Sequence, residues 1–360
     1  MKNLKICVYA ISKNEEKFVD RWFESMKEAD EIYVLDTGST DDTVKLLEDL
    51  GVKVTTKMIS PFRFDVARNL SLDLVPDDAT LCVCTDLDEV FLPGWRKLLE
   101  DNYQGETRIG YTYNWHLKDG KPDVSFILDK IHTRFDYKWT HPVHEVLENI
   151  NNNEKRKNIL EITLNHFPDP TKSRSNYLPL LELSVKENPE DDRNMHYLGR
   201  EYMYYQKYNE AIDTLIKHLN LKKATWKDER AASMRFIARS YKNLNRTNEA
   251  IMWYQKAIKE APYLRDAYVE LAMLEYELEN YEEVYKNIKM ALEIKNHEKT
   301  YINEVFSWNE TPYDLISLAC YYLNLLPESL YYLEIALKIN PTNERLLNNQ
   351  KIINQILNKI

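Results

Sequence analysis

Thr85-Asp86-Leu87-Asp88-Glu89 follows a short apolar run, Leu81-Cys82-Val83-Cys84, that reads as a buried strand. Side chains alternate along a strand, so two carboxylates one residue apart at its end share a side. Like charges that close are unfavourable unless a cation sits between them. Oxygen ligands suit hard ions such as Mg²⁺ or Mn²⁺, which take substrate phosphates as further ligands. The stretch therefore predicts a metal–diphosphate site at the carboxyl end of a parallel strand, where open α/β sheets bind ligands. An acidic turn capping a helix that starts near Pro93 is the alternative.

Working outward, strands alternate with helices on the N-terminal side. Leu4 to Ile11 is a continuous apolar run, as for a strand buried on both faces. Ser12, with Glu15 three residues later, fits a capping box opening a helix through Phe18, Trp22, Phe23 and Met26. Ile32 to Leu35 reads as a second strand, and the turn Asp36 to Asp42 leads to a helix from Thr43 to Leu50. Val52 to Thr55 is a third strand, Asp65 to Leu74 a helix, and Leu81 to Thr85 the fourth strand. This order predicts a parallel sheet with right-handed crossovers.

Polar residues end each strand on what becomes one rim: Asn14 and Glu15, then Asp36, then Asp86 and Asp88, with Arg68 and Asn69 on the helix before the fourth. An Asp for ribose or base, an Arg for phosphate charge and a metal pair can together hold a nucleotide diphosphate. Singly, Asp36 and Ser39 could cap the next helix, and Arg68 could pair with Asp65 or Asp73.

Four stretches in order carry a resemblance: Ile11-Ser12-Lys13-Asn14-Glu15-Glu16, Val34 to Asp41, Ala67-Arg68-Asn69 and Asp86-Leu87-Asp88-Glu89. Over roughly Leu4 to Phe167 the chain resembles the family 2 inverting GT-A glycosyltransferases. The resemblance implies an α/β GT-A fold with a Rossmann-like nucleotide-sugar-binding sheet, a nucleotide-diphospho-sugar donor (UDP by default) and Mn²⁺ or Mg²⁺. By it, Ala10, Ser12, Asn14 and Glu15 line the nucleotide with Ser39 and Arg68. Asp36 faces the nucleobase, Asp86 lies near ribose or metal, and Asp88 ligates the metal.

After Asp88 the pattern becomes mixed. A helix is expected from Pro93 to about Asn102, then strand-like pieces at Thr107 to Trp115, Ser125 to Leu128, Ile131 to Phe135 and Glu161 to Asn165. Asn149 to Asn158 reads as a hairpin loop. Trp139-Thr140-His141-Pro142-Val143-His144-Glu145 is dense in titratable groups. An inverting transfer needs a base opposite the departing diphosphate. Glu145 is the candidate base, and His144 a candidate third metal ligand or phosphate donor. Val-His-Glu resembles a motif of the tetratricopeptide-bearing branch of the family, and Asn165-His166-Phe167 resembles another. The family's common later acidic base motif is absent as such.

Pro168 to Thr171 marks the end of a 1–170 sheet domain. Lys172, Arg174 and Tyr177 open a connecting helix to about Glu187, placed at 171–190. Beyond it, over 191–360, Asn209-Glu210-Ala211-Ile212 recurs as Asn248-Glu249-Ala250-Ile251 and loosely near Val284 and Ser329. Ala250 and Val284 stand 34 residues apart, the tetratricopeptide period, while the 45-residue step to Ser329 implies an insertion around His297 to Glu310. The reading is an all-α TPR solenoid, with Asn343 to Lys359 as capping helix.

The net charge of −10, from 48 basic and 58 acidic residues, argues against a nucleic-acid binder. No apolar run reaches membrane-spanning length. Met1-Lys2-Asn3 passes at once into a strand, so no signal peptide is expected, and the four cysteines read as small core residues of a cytoplasmic protein. The architecture resembles bacterial enzymes that glycosylate peptides, such as sublancin-type bacteriocins on Cys, or proteins on Ser or Thr. The array would bind the peptide or protein acceptor or make a homodimer. A surface-polysaccharide or lipid-linked glycan transferase, and a TPR scaffold with a degenerate transferase domain, are the alternatives.

Overall fold

A computed structural model describes residues 4–118, 120–169, 177–297 and 300–358. The chain divides into two compact units, Met1–Ser184 and Val185–Ile360.

In the first unit, β1 (Ile6–Ser12), β2 (Glu31–Asp36), β3 (Lys53–Thr56) and β4 (Leu81–Thr85) form a parallel half-sheet in the order β3-β2-β1-β4. Alternation explains its two-sided burial. Ile6, Val8, Ala10, Leu81 and Val83 pack on one face with Trp22, Met26 and Leu47. Cys7, Tyr9, Cys82 and Cys84 pack on the other with Leu72, Tyr137 and Trp139. All four cysteines are free and buried. A fully buried leucine such as Leu81 contributes about 1.5–3 kcal/mol. The helices are α1 (Val19–Met26), α2 (Thr43–Asp49), α3 (Phe64–Asp73) and α4 (Trp95–Asn102).

The sheet continues in mixed sense. β5 (Glu89–Phe91), β6 (Arg108–Lys118), β7 (Lys121–His132) and β10 (Arg156–His166) extend it in the order β4-β7-β6-β10-β5. β7 runs antiparallel to β4 and β6, β10 parallel to β6, and β5 antiparallel to β10. β8 (Tyr137–Thr140) and β9 (Val146–Asn149) make a separate two-stranded sheet.

Several expectations change here. The capping box does not form, because Ser12 is the last residue of β1 and its hydroxyl goes to Asp36. A 3₁₀ turn, Glu16–Phe18, intervenes before α1. The pieces at Ser125 and Ile131 belong mostly to the one long strand β7, which ends at His132. The polar stretch 149–158 is no hairpin loop, since it joins β9 of the small sheet to β10 of the large one. Pro170, Thr171, Lys172 and Arg174 lie outside the described residues, and α5 is described over Tyr177–Glu187.

The second unit is a row of helical hairpins: α6 (Asp192–Tyr204) with α7 (Tyr208–Asn220), α8 (Lys227–Asn243) with α9 (Thr247–Glu260), α10 (Asp266–Glu277) with α11 (Tyr281–Glu293), and α12 (Thr311–Tyr322) with α13 (Leu326–Ile339). α14 (Glu344–Leu357) closes the row against α13; Lys359 lies outside the described residues. Each hairpin turns on one left-handed residue: Gln206 (φ 60°), Asn245 (57°), Glu279 (60°) and Asn324 (59°). The next amide in each case reaches back to a carbonyl of the preceding helix, Lys207 to Tyr202, Arg246 to Tyr241, Asn280 to Glu275 and Leu325 to Cys320. This is a Schellman-type termination repeated along the row. Small residues permit close approach: a methyl group on Gly199 would sit 2.4 Å from Leu215 Cγ. The first helices of successive hairpins touch, α6 with α8, α8 with α10 and α10 with α12, and so form one inner row.

Candidate functional site

Two loops follow the ends of β1 and β2 and are zipped together. The Asn14 amide donates to Ser39 Oγ (2.8 Å), and Asn14 Oδ1 accepts from the Thr40 amide (2.7 Å). The Glu15 amide donates to Thr43 Oγ1 (2.7 Å). Asn14 takes a left-handed φ of 55°, which Asn tolerates. Asp36 is fully buried and accepts from Ser12 Oγ (3.1 Å), the Gly38 and Ser39 amides (both 3.0 Å) and Ser39 Oγ (2.5 Å). Its carboxylate is therefore committed to shaping the 37–39 turn. The Ala10 carbonyl accepts from Ser71 Oγ (2.7 Å), tying β1 to α3.

Charged groups gather where β4 ends. Arg68, on α3, donates to both Asp86 oxygens (2.8 and 3.0 Å) and through Nε to Glu145 Oε1 (2.8 Å). It is buried and lies against the Trp139 ring. Lys130 stands 3.5 Å from Asp86 and 3.7 Å from Glu89. Burial favours a neutral Asp86, but Arg68 and Lys130 outweigh it and hold the carboxyl well below the usual range. Glu89 is buried, and burial followed by its neighbour Asp86 pushes its carboxyl up.

Asp88 faces another way. Its carboxylate, 18% exposed, lies 3.4 Å from His166 Nε2, and its carbonyl accepts from the Phe167 amide (2.8 Å). Burial lowers the His166 imidazole, but the Asp88 contact outweighs it and the net shift is upward. Beside this pair is a concavity of about 360 Å³ lined by Phe18, Arg21, His116, Leu117, His166, Phe167 and Pro168. Arg21 stacks 4.1 Å from the Phe167 ring centroid, within the field of Asp88.

The structure thus brings Arg68, Asp86 and Glu145 into contact, with Asp88 on the same strand end. Among the described residues, no group of three or more His, Cys, Asp or Glu side chains converges to hold a metal. Asp86 is taken by Arg68 and Lys130, and His144 packs its ring near Tyr177. The loop before Glu145 is strained, with His141 at φ 74° and His144 at φ 52°. Such strain in non-glycine residues collects at functional sites. Mg²⁺ and Mn²⁺ often take only one or two protein carboxylates, with water and phosphate supplying the rest.

Three participants escaped the sequence reading. Glu89 and His166 stood in stretches already singled out, and β5–β10 pairing sets them opposite each other. Lys130 had no local signal. It arrives through the antiparallel register of β7 on β4, which pairs Val83 with Ile131.

Residues 7–168 match the family described as Glycosyl transferase family 2. An uncharacterized glycosyltransferase of Rickettsia conorii is 48% identical over 54 residues, 15% of this chain and 19% of that protein. A TPR repeat-containing protein of Synechococcus elongatus is 26% identical over 149 residues, 41% of this chain and 36% of that one. The aligned stretch thus spans about a fifth of the rickettsial relative's length and about a third of the cyanobacterial one's. Among solved structures, MamA is similar at 20% identity and TM-score 0.38, over 47% of this chain and 89% of that one. YrrB, titled a TPR protein with an unusual peptide-binding site, is similar at 14% identity and TM-score 0.37, over 49% of this chain and 82% of that one. No helix among the described residues is long and apolar enough to cross a membrane. Residues 7–168 thus match a glycosyltransferase family 2 domain, and a row of helical hairpins follows it.

Proposed function

We propose that the first unit transfers a sugar from a nucleoside-diphosphate donor, UDP-linked by default, to a peptide or protein acceptor with inversion at the anomeric carbon. The observation that carries this reading is the convergence of Asp86, Arg68 and Glu145 just past the carboxyl end of β4, with Asp88 paired to His166 two residues further on, inside the matched stretch. Asp88 and His166 are the residues that would hold a divalent cation, Mn²⁺ or Mg²⁺. When bound there, the cation supplies charge neutralisation for the departing diphosphate. Arg21, at the edge of the adjoining concavity, adds positive charge for the same purpose.

Arg68 orients Asp86 and Glu145 together. Glu145 takes the proton of the acceptor hydroxyl or thiol as its oxygen or sulfur bonds to the anomeric carbon and the bond to the diphosphate breaks. The zipped loops around Asp36, Ser39 and Asn14 form the wall along which the nucleoside lies, with Ala10, Ser12 and Glu15 behind it. Free, buried cysteines suit a reducing cytoplasm. The helical unit serves the acceptor or joins two copies.

Asp88→Ala tests the reading. Donor hydrolysis in Mn²⁺ should fall at least about hundredfold, with an unchanged circular dichroism melt. A UDP-sugar with Mn²⁺ should raise the melting temperature of the unaltered chain and not of the variant. Undiminished hydrolysis by Asp88→Ala, or no nucleotide sugar shifting the melt, removes the transferase reading.

A further inference from the structure

The long strands of the sheet unit part around one residue. Gly110 of β6 pairs with Asn158 of β10, but the next registered pair is Thr112 with Thr163. On the other side, Ile109 pairs with Ile131 and Tyr111 with Leu128. Both neighbours of β6 therefore carry extra residues beside Gly110. Such bulges re-aim side chains, and a strand glycine among them marks a close approach of another group. The opening is a concavity of about 350 Å³, walled by Arg108, Ile127, Asp129, Arg156 and Asn158 around Gly110. That volume suits a small ligand.

The wall is balanced in charge. Arg108, 7% exposed, donates to Asp129 Oδ1 (2.8 Å), the Asp129 carbonyl (3.1 Å) and the Leu147 carbonyl (2.8 Å). Arg156 donates to Glu154 (2.6 Å) and stands 3.3 Å from Asp129 Oδ2. Lys157 also lines the concavity, and its ammonium is spent on the Asn102 carbonyl (2.5 Å). Each cation already has an oxygen partner, so an added anion gains little and loses its water. What the wall still offers is mixed. The Asn158 amide makes no side-chain hydrogen bond among the described residues. It lies over Gly110, where a methyl group would sit 2.3 Å from its Oδ1. Ile127, 51% exposed, supplies an apolar side. A guanidinium donor, a carboxylate acceptor and an amide that is both, beside an aliphatic side chain, match a sugar ring. Such a ring carries hydroxyls of both roles on its rim and C–H groups on its face.

We propose that this concavity is a second, non-catalytic site that binds one neutral sugar unit of a glycan. Asp129 Oδ2 accepts from one hydroxyl and Arg156 donates to its neighbour. The Asn158 amide holds a third, and a C–H face of the ring rests on Ile127. The site adjoins the charged groups after β4: Asp129 precedes Lys130, which stands by Asp86, and Arg108 holds Leu147, two residues beyond Glu145. The proposal goes beyond the transfer reading, since neither donor nor metal takes part in it.

The test uses the full chain without nucleotide or metal. Methyl glycosides of glucose, galactose, mannose and N-acetylglucosamine are titrated and followed by saturation-transfer difference NMR. At least one should bind, with a Kd on the order of millimolar. Gly110→Ala puts a methyl group where the Asn158 amide lies, and should weaken that binding at least about tenfold. Asn158→Ala, at an exposed position, should weaken it about two- to tenfold and decides the matter if Gly110→Ala does not fold. Binding should be unchanged in Asp88→Ala, and the melting shift caused by a nucleotide sugar unchanged in Gly110→Ala, so either reading can fail alone. Absence of binding by all four glycosides overturns the proposal. So does undiminished binding by Asn158→Ala, loss of binding in Asp88→Ala, or displacement of the glycoside by inorganic phosphate.

Discussion

The two units each bury arginines against carboxylates, and they do so to different ends. In the helical unit, Arg235 and Arg239 face Glu270 and Glu304, and the four charges close on one another. In the sheet unit, Arg68 and Lys130 are spent on Asp86, Glu89 and Glu145, and Asp88 pairs instead with His166, which lines a concavity. A closed set stabilises or selects a shape, whereas a carboxylate beside open space invites a cation. The difference separates a packing device from a candidate reaction site better than burial does, since Arg68 and Arg235 are about equally buried.

The comparison can be broken by removing each arginine. Arg68→Met leaves Asp86 and Glu145 without their shared partner, and loss of one member of a buried pair costs about 3–5 kcal/mol. Arg235→Met should cost distinctly less, because Arg239 still holds both Glu270 and Glu304. Urea unfolding of the two variants measures this, and equal losses would mean the first set is closed as well.

Acid should weaken both units. His132 sits between Tyr9 Oη (2.7 Å) and the Thr133 carbonyl (2.8 Å), and burial pushes its imidazole down to about 4. His196, beside Ser233, is pushed down to about 3, again chiefly by burial. An unfolded histidine binds a proton near pH 6.5, so between that value and the folded one the unfolded chain holds more protons. Stability then falls as pH falls, by up to about 3 kcal/mol for His132 by pH 4. Denaturant midpoints from pH 7 to 4 read the slope, and His132→Phe should flatten it in the sheet unit.

Gly199→Ala gives a smaller effect, confined to the helical unit. Its methyl would press on Leu215 of α7, and overpacking of this kind costs about 1–3 kcal/mol. The helical melt should shift downward while donor-induced stabilisation of the sheet unit stays unchanged.

Legibility in the sequence followed range. The fourth strand, Leu81 to Thr85, and helices such as Thr43–Asp49 came from short-range periodicity and agree with the structure within a residue or so. Ser12 misled because its hydroxyl had two local futures, a helix cap or a bond to Asp36, and pairing of β1 with β2 chose the second. β5, β8 and β9 are only three or four residues long, too short for a period to show. Glu145 reaches Arg68 because the 137–149 hairpin packs on α3, a placement that no local period signals.

By itself the sequence determined the alternation of strands and helices, the acidic end of the fourth strand, and a helical repeat with one oversized step. These are properties of neighbours, fixed by side-chain period and turn chemistry. Tertiary structure alone decided that Lys130 and His166 join the acidic end, that Arg68 reaches Glu145 77 positions further on, and that the oversized step folds back onto its own repeats. Those outcomes depend on strand register and helix stacking, where one residue of slip would send every side chain to the opposite face.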